Sequence, residues 1–439
     1  MEIQMIIALI VFIGAYAVIS SEIFHKTIAV LLGTTIFIFA SGFLPEGQKI
    51  LDQTSLFTEH VDWNVIFLLL SMMIIVGIVK RTGLTQFLAI KAAKAVKGNP
   101  VIIMLLFIWI TALFSALLGT VTTILLIVPV SLLLSVELEI SPIPFIITQA
   151  MAANIGGCAT LVGDATTIMI GSRFKLDFLE YMKTVDPILL VLLVLLSLFA
   201  MMFFKKKLVV TNLRKARILN FDENGIISNF PLLIKSLVVV SLVIIGFIFH
   251  STLGVEVATV ALFGAALLML LAGGHEIGEF FAEVEWSTIF FFVGLFGLVG
   301  GLVNVGLIDV LGNWLLGITG GNVSATSLVI LWASGIFSSV VDNVPFVATM
   351  APLIEKIAST MGLVGPALTP LWMTLLLGAD LGGNGTLVGA TANVVALGVA
   401  GKSGHKISFW DFTKYGIIVT LVNLFIVTGI VFFFYLPKV

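Results

Sequence analysis

Long apolar runs recur along the whole 439-residue chain, and short polar segments separate them. Many of these runs reach about 17 residues or more, the length that an α-helix needs to cross a hydrocarbon core of about 30 Å. Residues 64–80, 187–204 and 231–250, for example, hold at most one Lys or Arg each and no acidic residue. The pattern therefore predicts an all-α polytopic membrane protein.

Four segments of the first half of the chain recur in the second half at a nearly constant distance. The matching pairs are 61–70 with 284–293, 81–84 with 304–307 and 114–130 with 337–353, each at an offset of 223, and 153–167 with 379–393 at an offset of 226. Matches in the same order at nearly constant spacing indicate an internal repeat. We predict a first repeat over residues 1–205, a cytoplasmic linker over 206–225 and a second repeat over 226–439.

Each repeat contains five predicted crossings and one apolar hairpin, at residues 101–136 and 325–358. An odd number of crossings makes the two repeats inverted, so the two hairpins should enter from opposite sides and end near mid-depth. With the N-terminus outside, the cytoplasmic segments hold 16 of the 22 Lys and Arg residues, as the positive-inside rule requires. Two full crossings per hairpin would give the same loop orientation, so the hairpin interpretation depends on its polar tips.

Composition agrees with this interpretation and excludes other classes of protein. The chain is 59% hydrophobic and only 10% charged, whereas soluble domains average about 25% charged residues. A net charge of −2 without a basic cluster argues against a nucleic-acid partner, and the Gly-x-x-x-x-Gly-Lys pattern of ATPases is absent. We expect a multi-pass protein surrounded by membrane lipid, in the plasma (inner) membrane of a prokaryote, with an ion gradient as its energy source.

Two hairpin tips and two glycine-rich breaks interrupt the apolar runs with polar residues. The tips are GTVTT (119–123) and DNVP (342–345), and the breaks are NIGGCATLVGD (154–164) and DLGGNGTLVGATAN (380–393). Irregular backbone at membrane depth is tolerated only where it is buried in protein or lines a watery cavity. Transporters with inverted repeats bind their substrates at such interruptions, so we predict that these four segments form the ion site.

Asp342 carries the clearest functional signal, because a charge at mid-bilayer depth costs roughly 2.5–3.5 kcal/mol. No Lys or Arg lies within ten residues of it in the sequence. Carboxylate, hydroxyl and amide oxygens are the ligands that hard cations prefer. We predict that Asp342 and Asp380 form an exchange site in the second half, and that Asp164 lies near Thr120 and Asn154 as a ligand or proton acceptor. Na⁺ is the cation expected at Asp342 and Asp164.

The predicted site residues fall into two groups. The ion-binding group is Thr120, Thr122, Thr123, Asn154, Thr160, Asp164, Asp342, Asn343, Asp380, Asn384, Thr386 and Asn393. The backbone group is Gly119, Gly156, Gly157, Gly163, Pro345, Gly382, Gly383, Gly385 and Gly389. Both groups have a structural alternative: Thr120, Asn343 and Asn384 could simply cap helix ends, and the glycines could serve close helix packing.

At these segments the sequence resembles the Ion Transporter superfamily, in its branch of arsenite efflux permeases, D-type sodium/proton antiporters and the melanosomal P protein. The resemblance covers nearly the whole chain and is strongest at residues 153–164, 342–353 and 381–396. It implies inverted repeats, two opposed re-entrant hairpins and two unwound helices. It also implies an elevator-type movement of a transport half against a scaffold half.

The chain departs from the pattern of that branch at three places. The first tip reads Gly-Thr-Val-Thr-Thr where the branch often has Asp-Asn-x-Thr-Thr. Asp164 is followed by Ala165, Thr166 and Thr167 in place of Pro-Pro-Asn, and Asp380 stands where an acid is usually absent. One carboxylate is therefore lost and another gained relative to that branch.

These observations predict a secondary active transporter and not an enzyme, with H⁺ and/or Na⁺ as coupling ion and no other cofactor. Exchange of sodium or another small cation for protons ranks first, and proton-coupled efflux of arsenite or a related oxyanion ranks second. Sodium-coupled carboxylate symport ranks third, because the Ser-Asn-Thr motif of dicarboxylate symporters is absent from both tips, and a passive channel ranks fourth. We also expect a homodimer.

Overall fold

The structure is a computed structural model that describes residues 2–21, 23–45, 47–219, 225–273 and 277–436. No β-strand occurs among these residues. Eight helices within the described ranges have the length and apolar composition to cross a membrane, and a ninth results if one sharply bent helix pair counts as a single span. The all-α polytopic fold predicted from the sequence is therefore confirmed.

The helices of the first repeat and the linker follow one another with short connections. They are α1 (Ile3–Ser21), α2 (Lys26–Ser41), α3 (Gln53–Ser55), α4 (Trp63–Lys80), α5 (Leu84–Ala95), α6 (Pro100–Leu118), α7 (Thr120–Leu138), α8 (Ile143–Gly157), α9 (Ala165–Arg173), α10 (Phe178–Phe204) and α11 (Asn212–Leu219). The pair α6–α7 is the first hairpin, and α8–α9 is the first broken helix.

The second repeat has the same order of elements. They are α12 (Phe230–Leu253), α13 (Val257–Gly273), α14 (Ile277–Phe281), α15 (Trp286–Asn304), α16 (Leu307–Thr319), α17 (Val323–Ser338), α18 (Asn343–Met361), α19 (Thr369–Gly382), α20 (Thr391–Lys402) and α21 (Phe409–Ile430). The pair α17–α18 is the second hairpin, and α19–α20 is the second broken helix.

Hydrogen bonds between each hairpin and its broken helix recur at the repeat offsets. The Ser115 hydroxyl donates to the Ala153 carbonyl at 2.6 Å, and the equivalent Ser338 hydroxyl donates to the Ala379 carbonyl at 2.5 Å. Each bond fixes the arm that leads into the tip against the helix that leads into the break. The two repeats thus share one local frame, which agrees with the inverted repeats predicted from the sequence.

Glycine is required where these helices touch. A Cβ atom on Gly156 would overlap the backbone of Ala112, and one on Gly382 would overlap the backbone of Gly335. Both pairs are equivalent under the repeat, so the same close approach occurs twice. Gly83 and Gly306 form another equivalent pair, since both adopt a left-handed conformation (φ 78° and 77°) just before α5 and α16.

The helices divide into two packed groups. In the first, α2 packs on α1 and α15, while α13 packs on α12 and α4; we call α1, α2, α4, α12, α13 and α15 the scaffold group. In the second, the hairpins and broken helices pack on one another and on α10 and α21; we call α6–α10 and α17–α21 the tip group. Each group mixes elements of both repeats, because the repeats interlock.

Two segments differ from the expectation. The linker was predicted as a polar connection, but it contains α11, whose Ile218 is buried and whose Arg214 and Arg217 pair with Glu139; residues 220–224 of the linker lie outside the described residues. Helix α10 begins at Phe178 and not near Pro187, because the Asp177 side chain accepts from two backbone N–H groups of its first turn.

Candidate functional site

Both hairpin tips lie against the breaks of the two broken helices. At the first tip, the Thr120 hydroxyl lies 2.7 Å from Oδ1 of Asp164. At the second tip, the Asn343 amide donates to Oδ1 of Asp380 at 2.8 Å and lies 3.4 Å from Oδ2 of Asp164. Both tips therefore lie beside the interruptions of the broken helices.

Asp164 and Asp380 form a carboxylate pair across the two repeats. The Thr166 hydroxyl lies 2.9 Å from Oδ2 of each carboxylate. One hydroxyl carries one hydrogen and can donate to only one of the two oxygens. The carboxylate that does not receive this hydrogen keeps its other donor, which is Thr120 for Asp164 and Asn343 for Asp380. Asp380 is 1% exposed, so water does little to screen the repulsion between two negative charges in this pair.

Cys158 completes the surroundings of Asp380. Its thiol lies 3.2 Å from Oδ2 of the carboxylate and 3.3 Å from the Asn154 carbonyl oxygen. A thiol is a weak donor, so it stabilises an ionised carboxylate less than a hydroxyl would.

Three asparagines join the two broken helices beside this pair. The Asn154 amide donates to Oδ1 of Asn384 at 2.9 Å and to Oδ1 of Asn393 at 3.0 Å. The Asn393 amide in turn donates to the carbonyls of Gly383 and Thr386 across the second break. The amide nitrogen of Asn384 is buried without a hydrogen-bond partner among the described residues.

The contacts at the centre obey the pseudo-two-fold relation of the repeats. Asn154 is equivalent to Asp380, and Cys158 is equivalent to Asn384, both at the offset of 226. The Asn154–Asn384 and Cys158–Asp380 contacts are therefore two copies of one contact. The pseudo-symmetry axis passes between them, and only one copy carries an acid.

Asp342 lies apart from this pair and has a cationic partner. The Lys26 ammonium is 2.6 Å from Oδ2 of Asp342, and the Thr391 hydroxyl is 3.0 Å from the same oxygen and 3.1 Å from the ammonium. The expectation of an acid without a cationic partner at Asp342 was wrong. The exchange site of Asp342 and Asp380 stays a prediction, and the neighbouring Asn343 donates to Asp380. Lys26 lies 316 residues away in sequence, and its charge was counted only as part of a cytoplasmic loop.

The cap positions at the tips also differ from the expectation. Asp342, and not Asn343, caps α18 by accepting from the Val344 N–H at 3.1 Å. Thr120 does not cap α7, because its hydroxyl is used by Asp164. Pro345 lies in the first turn of α18 as predicted, and its carbonyl accepts from the Tyr16 hydroxyl at 2.5 Å.

The remaining threonines divide between the cavity and the frame. Thr122 lines the central cavity, and Thr123 is buried with a hydroxyl that has no partner among the described residues. Thr160 and Thr386 are equivalent in the repeats, and each donates to a carbonyl of a hairpin arm at 2.5 Å. These two hydroxyls hold the breaks in place, and the structure does not direct them toward an ion.

The glycines of the breaks allow close packing more than they expose carbonyls. Gly119 alone among them has a left-handed backbone, with φ of 87°. A Cβ atom on any of the others would come within 3.1 Å of a neighbouring atom, mostly of backbone; these are Gly156, Gly157, Gly163, Gly382, Gly383, Gly385 and Gly389. The packing alternative considered for these residues therefore describes the structure.

Two cavities meet at the Lys26–Asp342 pair. The central cavity has a volume of about 360 Å³ and is lined by polar groups of both tips and both breaks, among them Thr120, Asn154, Asp164 and Asn343. A second cavity of about 390 Å³ contains Asp342 in its wall. Lys26 and Thr391 line both cavities, so the ion pair forms part of the partition between them.

The donors of the site are carboxylates, hydroxyls and amides, and four helices begin here: α7, α9, α18 and α20. Within the described part of the chain, no three His, Cys, Asp or Glu side chains come close enough together to hold a metal ion. Carboxylate, hydroxyl and amide oxygens are the ligand type that hard cations prefer.

Comparisons with known proteins agree with these features. A family model described as citrate transporter matches residues 16–378. A protein of Mycobacterium tuberculosis described as an uncharacterized transporter is 40% identical over 422 residues, which cover 95% of this chain and 96% of that protein. The P protein of Sus scrofa is 30% identical over 94% of this chain and 58% of its own length.

A solved structure shares the fold. The YdaH transporter of Alcanivorax borkumensis superposes with a TM-score of 0.59, covering 93% of this chain and 98% of that one, at 13% sequence identity. At that identity the similarity supports the architecture alone and not the substrate.

Proposed function

The chain belongs to the citrate transporter family of the Ion Transporter superfamily, and we propose that this secondary transporter exchanges sodium, or another small cation, for protons. The resemblance found in the sequence is confirmed, and the matching family is a family of transporters and not of enzymes. The protein is a multi-pass membrane transporter, and its bacterial relatives agree with a plasma-membrane location. The homodimer stays a prediction.

The observation that carries the proposal is the Asp164–Asp380 pair around the single Thr166 hydroxyl. Two ionised carboxylates that meet at one hydroxyl repel each other, and the burial of Asp380 leaves little water to screen that repulsion. A proton or a monovalent cation between them removes the repulsion, and neither leaves room for the other. Competition of this kind is the minimum requirement for exchange.

The charge balance of the whole site favours a cationic substrate. Asp164, Asp342 and Asp380 supply three carboxylates, and Lys26 supplies one ammonium, which hydrogen-bonds Asp342. The fully ionised site would be negative, and buried charges require compensation. An incoming cation supplies it, whereas a carboxylate substrate would add to the excess.

The two tips provide a route for alternating access. Thr120 contacts the pair from the first hairpin and Asn343 contacts it from the second, and in the predicted inverted topology these hairpins enter from opposite sides of the membrane. We propose that the tip group moves as a unit along the scaffold group and carries the pair with it, as in an elevator. The site would then face one side of the membrane at a time.

Carboxylate transport is the second candidate. It is favoured by the matching family, which is described as citrate transporter. It is also favoured by the four helix N-termini and Lys26 around the central cavity, since helix N-termini attract anions. A carboxylate would have to draw Lys26 away from Asp342 and would need accompanying cations.

The two candidates are separated by transport in vesicles. The purified protein is reconstituted with an internal pH indicator, and Na⁺, Li⁺, arsenite or citrate is added outside. Cation/proton exchange predicts an internal pH change with Na⁺ or Li⁺ and none with KCl of equal concentration. Uptake of labelled citrate without a cation-driven pH change would contradict the exchange proposal and support the second candidate. Protein-free vesicles and Asp380→Asn serve as controls.

A further inference from the structure

The Lys26–Asp342 pair connects the two groups of helices that the proposed movement would separate. Lys26 begins α2 of the scaffold group, while Asp342 and Thr391 begin α18 and α20 of the tip group. A second contact lies nearby, where the Tyr16 hydroxyl of α1 bonds the Pro345 carbonyl of α18. Any sliding of one group along the other must break both contacts.

The pair has no symmetry-related copy. The residue equivalent to Asp342 is Gly119, at the offset of 223. Helix α13, the counterpart of α2, begins with Val257 where α2 begins with Lys26. Both charges are thus missing from the symmetry-related positions, and a conformation that exchanges the roles of the two repeats would have no equivalent contact.

The arrangement described by the structure faces the cytoplasm. The central cavity beside the first tip is also lined by Thr27 and Glu285, at the starts of α2 and α15. Arg81 follows α4 and pairs with Glu279, so the segment before α15 lies on the side where the Lys- and Arg-rich loops lie. That side is cytoplasmic under the positive-inside rule.

We propose that Lys26 is a tethered cation that occupies Asp342 in the inward-facing state, competes there with the transported cation and so promotes its release to the cytoplasm. This inference rests on the proposed cation exchange. In the outward-facing state the tip group has moved away from α2, and Asp342 is then free to help a cation enter. Lys26 returns to Asp342 only when the site faces inward again.

Three features of the geometry support competition over a purely structural ion pair. The pair forms part of the wall of a cavity of about 390 Å³, so a cytoplasmic cation can approach Asp342 from that side. The side chains of Lys26 and Asp342 are 26% and 13% exposed, which leaves both within reach of water. The Thr391 hydroxyl beside the carboxylate oxygen offers an additional oxygen ligand to a replacing cation.

The first test measures the apparent affinity for Na⁺ on the cytoplasmic side in inside-out vesicles. Lys26→Met should lower the half-saturating Na⁺ concentration by about tenfold, a typical size for such coupling, and Lys26→Gln should behave alike if the methionine variant folds poorly. Lys26→Arg, which keeps the charge, should remain close to wild type. The double variant Lys26→Met with Asp342→Asn should lose the gain. An unchanged Na⁺ affinity in both neutral variants would overturn the inference.

The second test does not depend on transport. A cysteine is placed at Val121, which lines the central cavity, and a membrane-impermeant maleimide is added to one side of the membrane; Cys158 is fully buried and provides the unlabelled background. Labelling should occur mainly from the cytoplasm with Lys26 present and should shift toward the outside in Lys26→Met. An identical pattern in both proteins would contradict the inference that Lys26 occupies Asp342 in the inward-facing state. If the labelling shifts but wild type exchanges no cation, the proposed function fails, while the role of the Lys26–Asp342 contact in the inward-facing state remains.

Discussion

The two repeats share a frame and differ in their charges. Ser115 and Ser338 make the same bond from hairpin arm to broken helix, and Gly156 and Gly382 allow the same close approach. At the functional positions the equivalence ends, because Asn154 of the first break corresponds to Asp380 of the second. The frame therefore needs both copies, whereas the acids are specialised to one copy each.

This specialisation produces the site. Asp164 comes from the first repeat, where its counterpart is Ala390, and Asp380 comes from the second. They meet only because the broken helices cross at the pseudo-symmetry axis. Full symmetry would place an acid at both equivalent positions or at neither, so this pairing of Asp164 with Asp380 depends on the difference between the repeats.

The largest effect is expected from the acids. Asp164→Asn and Asp380→Asn should each reduce cation-driven proton movement to the level of protein-free vesicles. With one carboxylate left there is no repulsion between two acids, so a proton and a cation no longer compete to relieve it. Asp309→Asn is the matched control, since it loses an exposed ion pair with Lys356 that contributes about 0–1 kcal/mol. Wild-type exchange in either site variant would show that the pair is structural.

The shared frame is tested next by the glycines. Gly156→Ala and Gly382→Ala should each destabilise the protein by about 1–3 kcal/mol or more, because the added methyl group would collide with backbone atoms of the hairpin arm. The thermal unfolding midpoint in detergent measures the effect. Gly398→Ala, where nothing lies within 4 Å of the new atom, should leave the midpoint unchanged or raise it. Tolerance of both core alanines would mean that the close approach is not needed.

The contact that joins the two repeats is tested by removing one hydroxyl. Thr166→Val should slow exchange by about 10- to 100-fold, since a hydrogen bond to a charged group contributes roughly 1.5–3 kcal/mol, while Thr166→Ser should recover most of the rate. Thr374→Val is the control, because that buried hydroxyl bonds only carbonyls of its own helix. Equal rates in both valine variants would remove Thr166 from the site.

The smallest expected effects are losses of stability that should be similar in the two repeats. Ser115→Ala and Ser338→Ala should each lower stability by about 0.5–1.5 kcal/mol, the net contribution of a neutral hydrogen bond. Unfolding in detergent should show similar values for both, with a smaller change for Ser197→Ala, whose hydroxyl bonds its own helix. A large loss at only one of the two positions would argue against a frame common to both repeats.

The sequence was sufficient to predict the hairpins, the breaks and Asp164 near Thr120, because the repeat offsets and the apolar runs can be seen directly along the chain. The partners of the acids were beyond its reach. Lys26 reaches Asp342 only through the interlocking of the repeats, and its position at the start of a crossing is equally typical of a loop charge.

Two further residues were visible in the sequence but not assigned a role. Thr166 was noted only as a departure from the pattern of the related branch, and Cys158 only as part of the first break. Their contacts with Asp380 depend on how the two broken helices cross. The spacing of residues along the chain does not predict how these helices cross.

The claim that Asp164 and Asp380 hold either a proton or a cation is tested most directly by proton release from the purified protein. Na⁺ is added to wild type in weakly buffered detergent solution, and the pH is recorded. The account predicts release of protons that saturates with Na⁺, persists in Asp309→Asn and disappears in Asp380→Asn. Binding of Na⁺ without proton release, or equal release from wild type and Asp380→Asn, would contradict it.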